Sequence, residues 1–494
     1  MTMKKIKLFD YQEDMVNRVQ EAFRHHDSVM VQMPTGTGKT HVLAAIVGLF
    51  LKKNVCVVAH RRELVSQIKD TLARFFPALD SEKIQVTSIQ WLSRHYREIK
   101  EKPSLIVIDE SHHALAETYA EVMNAYPKAK KLGLTATPYR MNGKGFTDLF
   151  DTLLCSWSME KFIAEGRLSL YDYYSIKPDS ADQLLINSLQ KRGADGDYQQ
   201  KELNEVMDVK PSLERLCLTI KEYVPGKKGI VYAISIQHAE HIAEFYRENG
   251  IKAVAISSKT PLAERQELIE SFKFSSLSSS LNSTSDDIEV LVSVDLFSEG
   301  FDCPDVEFIQ LARPTLSLVK YMQMVGRGLR VAEGKEYCVI LDNVGLYKRF
   351  GLPSADRDWQ SIFEGRTSLE DILQEACMQV NSHNCRMDVL IDGDEDMMKI
   401  ISHERQQRMI MDSYGYKIVE DEKGLKGIKD KDDKMILECR YKKIEVTNDG
   451  FAYCYIRKKV GRKEWIDLRN RLWFANKPQS VKLMGIDFCT EDGK

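Results

Sequence analysis

At 494 residues with 43% hydrophobic side chains, the chain is too long for one ordinary domain and too apolar for a disordered one; about three domains are expected. Its 70 Lys and Arg against 73 Asp and Glu leave a net charge of −3, which excludes coating of nucleic acid by bulk charge but not a local basic groove. Ten scattered cysteines without a C-x-x-C exclude a disulfide scaffold and fit a reducing, cytoplasmic compartment.

The N-terminal MTMKKIKLFDYQEDMV lacks the apolar stretch of a signal peptide. The longest apolar run, VLAAIVGLFL (42–51), is too short to span a bilayer, so no membrane partner is expected. From the start to residue 155, apolar runs read as strands buried on both faces: VMVQM (29–33), VCVVAH (55–60), LIVIDE (105–110) and LGLTAT (132–137). Segments with helical spacing lie between them, as in ELVSQIKDTLARFF (63–76), and such alternation predicts a parallel sheet with helices on both sides. Residues 156–225 are mixed and polar, with a turn-rich KRGADGDYQQ (191–200), and read as a connector.

The alternation resumes over 226–350 with GIVYAI (229–234), KAVAIS (252–257), EVLVSVD (289–295), VEFIQLA (306–312) and YCVILD (337–342). Within it, SSLSSSLNSTSDD (275–287) reads as a flexible surface loop. Residues 351–494 read as a small α+β appendage, with helices at 368–380 and 396–411 and a β-hairpin over 451–469 turning near Gly461. The fold class expected is α/β: two tandem parallel-sheet lobes and a C-terminal α+β domain.

The strongest chemical signal is MPTGTGKT (33–40), which follows a strand and opens a helix, as a phosphate-binding loop requires. Pro34, Thr35, Gly36, Thr37 and Gly38 form the loop; the glycines let backbone N–H groups close around phosphate oxygens, and the helix N-terminus adds positive potential. Lys39 is placed to reach the β- and γ-phosphates and Thr40 to hold Mg²⁺, so ATP and Mg²⁺ are the expected cofactors. Met33 stands where the strict motif has Gly. The stretch DESHHALAE (109–117) by itself fits a metal cage, the acidic end of a nucleotide site, or a polar turn. Its position at a strand end beside the loop favours the second, with Asp109 on Mg²⁺ and Glu110 polarising the attacking water. Adjacent His112 and His113 face one ion poorly, which argues against zinc. Cys377, His383 and Cys385 cluster without a convincing fourth ligand.

PTGTGKT, DESH, LTATP (134–138) and QMVGRGLR (323–330), taken in order, resemble the motif series of superfamily 2 helicases and translocases. VVAHRRELVSQ (57–67), VTSIQWL (86–92) and VLVSVDLFSEGFDCPDVEFIQLARPTLS (290–317) resemble further motifs of that series. LDNVGLYKRFGLPSADRDW (341–359) is similar to RadD-like and restriction-motor members. The resemblance covers about residues 7–345 and implies two RecA-like lobes.

The resemblance also implies roles. Gln12 matches the adenine-reading glutamine, although Phe9 stands where an arginine is usual. His112, Thr135 and Thr137 match positions coupling hydrolysis to nucleic-acid binding, and Gly300 and Asp302 match positions near the nucleotide. Gln323 matches a water-positioning glutamine; Arg327 and Arg330 match arginine fingers carried by the second lobe, where cations meet the charge spreading over the γ-phosphoryl group. Arg61, Arg62, Thr87, Ser88 and Ser293 match phosphate-holding positions. The partner implied is nucleic acid, DNA ahead of RNA, in an ATP-dependent helicase or translocase. Separately, nine cations between 451 and 482, interleaved with Tyr453, Tyr455, Trp465 and Trp473, offer either a strand-binding surface or a solvated face.

Overall fold

The apolar runs become strands because their side chains are claimed on both sides. In β2 (Val55–Ala59), Val55, Val57 and Ala59 enter one core while Cys56 and Val58 enter another. Helices Asp10–His25, Lys39–Leu49 and Arg62–Phe75 cover the first face through residues such as Met15, Val19, Leu43, Ile46 and Ile68. Helices Ile89–His95 and Ala116–Ala125 cover the second through Leu92, Tyr119, Val122 and Met123. This computed structural model describes residues 7–60, 62–76, 83–114, 116–274, 288–294, 303–366, 397–413, 415–430, 432–441, 443–446, 451–455, 463–467 and 472–474.

The first sheet holds β1 (Ser28–Gln32), β2, β3 (Ile84–Ser88), β4 (Leu105–Asp109), β5 (Lys130–Thr135) and β6 (Thr152–Cys155). Their order is β3-β2-β4-β5-β1-β6 and every pairing is parallel. The second sheet holds β7 (Leu170–Ile176), β8 (Gly229–Tyr232), β9 (Ala253–Ile256), β10 (Val290–Ser293), β11 (Phe308–Leu311), β12 (Tyr337–Asp342) and β13 (Met397–Ile401). Its order is β13-β7-β12-β11-β8-β10-β9, parallel except for β13 against β7. The two parallel-sheet lobes read from the alternation are therefore present. One apolar core runs through both, joining Val42 and Ile46 of the first lobe to Tyr321, Met324 and Val325 of the second.

Two expectations need correcting. Residues 156–225 are more than a connector, since β7 lies inside the second sheet and the helix Lys210–Tyr223 packs on that sheet through Leu216, Cys217 and Ile220. Residues 396–411 are not one helix: Met397–Ile401 is a strand pairing with β7, and the helix His403–Ser413 begins only after Ser402. The Ser402 hydroxyl accepts from the Arg405 N–H at 3.1 Å, a cap that ends the strand and starts the helix.

Small antiparallel sheets follow: β14 (Tyr416–Glu420), β15 (Lys426–Asp430) and β16 (Met435–Tyr441), then β17 (Lys443–Val446), β18 (Phe451–Tyr455), β19 (Lys463–Asp467) and β20 (Leu472–Phe474). The hairpin expected over 451–469 is the antiparallel pair β18–β19, with Tyr453 opposite Trp465 in register. The expected helix 368–380, the Cys377–His383–Cys385 cluster, the loop 275–287 and the turn at Gly461 lie outside the described residues. Among the described residues no helix is long and apolar enough to cross a membrane.

Candidate active site between the lobes

The parallel strands of the first lobe deliver their C-terminal ends to one edge, where a doubly wound sheet binds its ligand. β1 leads into the loop Met33–Gly38, β4 ends at Asp109, and β5 ends at Thr135. Met33, the departure from the strict motif, is fully buried and its N–H donates to Thr135 O at 3.0 Å. It extends the strand and leaves the turn to the next five residues. Gly36 and Gly38 have φ of +89° and +82°, left-handed values that a side chain disfavours. Gly38 caps the helix Lys39–Leu49 with no side-chain cap bond, so the first N–H groups point into the loop.

Gln12 binds both partners through its amide. Its Oε1 accepts from Phe9 N at 3.0 Å, and its Nε2 donates to Thr37 O at 3.0 Å. The Tyr11 hydroxyl donates to the same carbonyl at 3.0 Å. Gln12 thus ties the N-terminal helix to the phosphate loop. The arginine missing at position 9 has a neighbour from elsewhere: Arg167 lies 4.2 Å from the Phe9 ring centroid and 3.8 Å from Asp10. No local signal pointed to Arg167, which belongs to the segment before β7.

Glu110 sits at φ 48°, ψ 52°, left-handed space that a non-glycine residue rarely occupies outside functional sites. His112 Nδ1 lies 3.3 Å from Glu110 Oε2 and 3.0 Å from Thr135 Oγ1. Across the cleft, Gln323 Nε2 approaches His112 Nε2 at 3.4 Å. An amide nitrogen only donates, so His112 accepts at Nε2 and carries its proton on Nδ1, facing Thr135 and Glu110. Thr135 Oγ1 in turn accepts from Thr137 N at 3.1 Å. His113 stacks on His60, 4.3 Å between centroids, and lies tilted against His112 at 4.1 Å.

The second lobe reaches the loop through the helix Leu318–Gly328, in which both Gln323 and Arg327 are buried. A Cβ placed on Gly326 would stand 2.6 Å from Thr35 Cβ, and one on Gly36 would stand 3.3 Å from Arg330 Cγ. Glycine at both positions lets the lobes touch. Lys39 is half-buried here, its Nζ 3.4 Å from Met33 O. Loss of water draws its pKa below the ordinary value, opposed by Glu110 and Asp109 and reinforced by Arg327 and Arg330. Three cations and two carboxylates therefore share one site, a donor set that fits a nucleoside triphosphate with its divalent cation.

The expected phosphate-holding positions fare unevenly. Arg61 lies outside the described residues, as do Gly300 and Asp302, expected near the nucleotide; Arg62 begins its helix without a described side chain. Thr87 and Ser293 are buried, and the Ser88 hydroxyl accepts from Trp91 N at 3.3 Å as a helix cap.

Residues 5–140 match the family described as Type III restriction enzyme, res subunit, and residues 211–332 match the helicase conserved C-terminal domain. The chain is 33% identical over 338 residues to a 51.5 kDa protein of a Lactococcus phage (isolate 7-9), covering 68% of this chain and 70% of that one. It is 28% identical over 373 residues to the putative ATP-dependent helicase IRC3 of Saccharomyces cerevisiae, covering 68% of this chain and 51% of that protein. The chain thus spans about half the length of the yeast relative. Among solved structures, the ATP-dependent Type ISP restriction-modification enzyme LlaBIII bound to DNA aligns at a TM-score of 0.52 and 15% identity, over 77% of this chain and 31% of that one. That likeness is one of fold.

Proposed function

The chain belongs to the superfamily 2 DExH helicases, and from that premise we propose that it hydrolyses ATP between its lobes to move along nucleic acid, DNA rather than RNA. The observation carrying this reading is the contact of the helix Leu318–Gly328 and Arg330 with Thr35 and Gly36, which sets Lys39 among charges from both lobes. Mg²⁺ would be held by Thr40 and Asp109 and would neutralise charge on the β- and γ-phosphate oxygens. Lys39 and the N–H groups of the loop hold the phosphates. Glu110 accepts a proton from the attacking water, and Arg327 and Arg330 meet the charge that spreads over the transferred group.

Because those arginines come from the other lobe, the site is complete only in the closed arrangement, and hydrolysis is tied to lobe motion. The chain Glu110–His112–Gln323, with Thr135 beside it, connects the acid to the second lobe. It is suited to reporting the state of one lobe to the other. DNA as the track rests on the match of residues 5–140 to the restriction-enzyme family.

ATPase turnover on single-stranded, duplex and forked DNA and on RNA tests the reading. Stimulation by DNA above RNA is expected, and turnover indifferent to every nucleic acid would sink it. Strand separation on the fork, set beside triplex displacement on duplex, distinguishes a helicase from a translocase that moves without unwinding.

A further inference from the structure

The helix that carries Arg327 ends at Gly328, and three consecutive carbonyls at and just past its end need partners: those of Gly328, Leu329 and Arg330. Leu329 O accepts from Ser169 N at 2.7 Å, the residue just before β7. The other two accept from one side chain. Lys335 Nζ lies 2.5 Å from Gly328 O and 2.9 Å from Arg330 O. Its third direction reaches Pro304 O at 3.2 Å, inside the stretch 290–317 that resembles a motif of the helicase series. An ammonium has three donors, and here all three meet backbone carbonyls.

The place of this clamp matters more than its strength. A cation at a helix C-terminus complements the carbonyl dipoles only weakly where water still reaches it. Yet the backbone it grips is that of Arg330, whose Cγ packs at 3.3 Å from a Cβ position on Gly36 of the phosphate loop. Gly328 itself has no room for a side chain, since a Cβ there would run into Ile309 and Cys338 of the sheet beneath. The helix end is thus pressed on the sheet, and Lys335 sets the course of the chain that leaves it.

We propose that Lys335 is a positioning residue for the arginine finger Arg330, fixing the finger's backbone to the helix end and to the Pro304 segment. The proposal rests on the reading of Arg330 as a finger. Lys335 meets no nucleotide; it acts through the aim of another side chain.

The test is a double-mutant cycle on nucleic-acid-stimulated ATPase. Lys335→Met keeps the length and removes the donors. A finger displaced by about 1 Å loses on the order of 10²-fold in rate, so kcat falls by about 10- to 100-fold. Equilibrium ATP binding changes by less than about 3-fold, because the loss falls on the transition state. In an Arg330→Ala background, single-turnover rates with and without Lys335→Met agree within about 2-fold, since the side chain being aimed is gone. Equal losses in both backgrounds, or no loss in either, would overturn the proposal. Should Lys335→Met fail to fold, Lys335→Gln enters the same cycle with the same expected pattern. Arg330→Ala without any loss of its own sinks the finger reading, and this inference with it.

Discussion

Glu110 has an unusual backbone for its residue type. A non-glycine residue in left-handed space costs on the order of 1–3 kcal/mol, retained only where its surroundings demand that geometry. Here the left-handed turn leads straight into the short 3₁₀ turn Ser111–His113, and that turn sets His112 against Thr135 and Gln323. Glu110→Gln keeps the shape and removes the proton acceptor. Turnover falls by about 10²- to 10⁴-fold while ATP binding persists, measured by single-turnover hydrolysis beside nucleotide binding. Near-normal hydrolysis would assign the base elsewhere. The local sequence made the acids legible because a strand end beside a phosphate loop leaves few other uses for them. It did not show that Gln12 uses both ends of its amide on Phe9 and Thr37, nor that Arg167 covers Phe9. Those contacts depend on which distant backbone comes near.

The strands of both lobes were legible wherever their runs are continuously apolar, and β7 shows where that signal fails. Asp172 interrupts the run SLYDYYSI at its centre, and a buried carboxylate argues against a strand until its partners are known. Those partners are Lys399, at 2.9 Å, and His403, whose Nδ1 lies at 2.6 Å, 231 residues further along the chain. The cluster docks β13 and the helix His403–Ser413 onto β7. Burial alone would raise the Asp172 pKa, but hydrogen bonds from His403 and Lys399 outweigh it and the carboxyl titrates below its ordinary value. A depressed folded pKa contributes stability that is fully present above the unfolded value, about 3.9, and is lost as pH falls through the folded one. Asp172→Asn removes the charge and weakens the hydrogen bonds from Lys399 and His403 to it, costing about 2 kcal/mol. Hydrogen exchange over 397–413 speeds up in this variant at neutral pH, and in the wild type only below about pH 4. Equal protection in both proteins at neutral pH would show that β13 is held by its ladder and apolar contacts alone.

For the whole molecule, the second sheet is assembled from three stretches of sequence: the supposed connector, the second alternating region and the start of the appendage. This changes where the chain can be cut. Ending it before residue 397 removes β13, strips β7 of its antiparallel neighbour and leaves Asp172 without both partners. An exposed edge with a buried charge beneath it favours aggregation, so this form loses cooperative unfolding. Ending it after residue 414 keeps the sheet and removes only the small antiparallel sheets with their basic, aromatic strands. Such a form is expected to keep nucleic-acid-stimulated hydrolysis, because every residue of the inter-lobe site is retained. Its DNA affinity, followed against salt, then isolates what the tail adds. Every phosphate that the shortened chain no longer neutralises flattens the plot of log affinity against log salt by about 0.7 to 0.9. A tail that binds the strand therefore leaves a shallower line behind when it is removed. Parallel lines for the two chains would make those cations a solvated face, with the grip on DNA residing in the lobes alone.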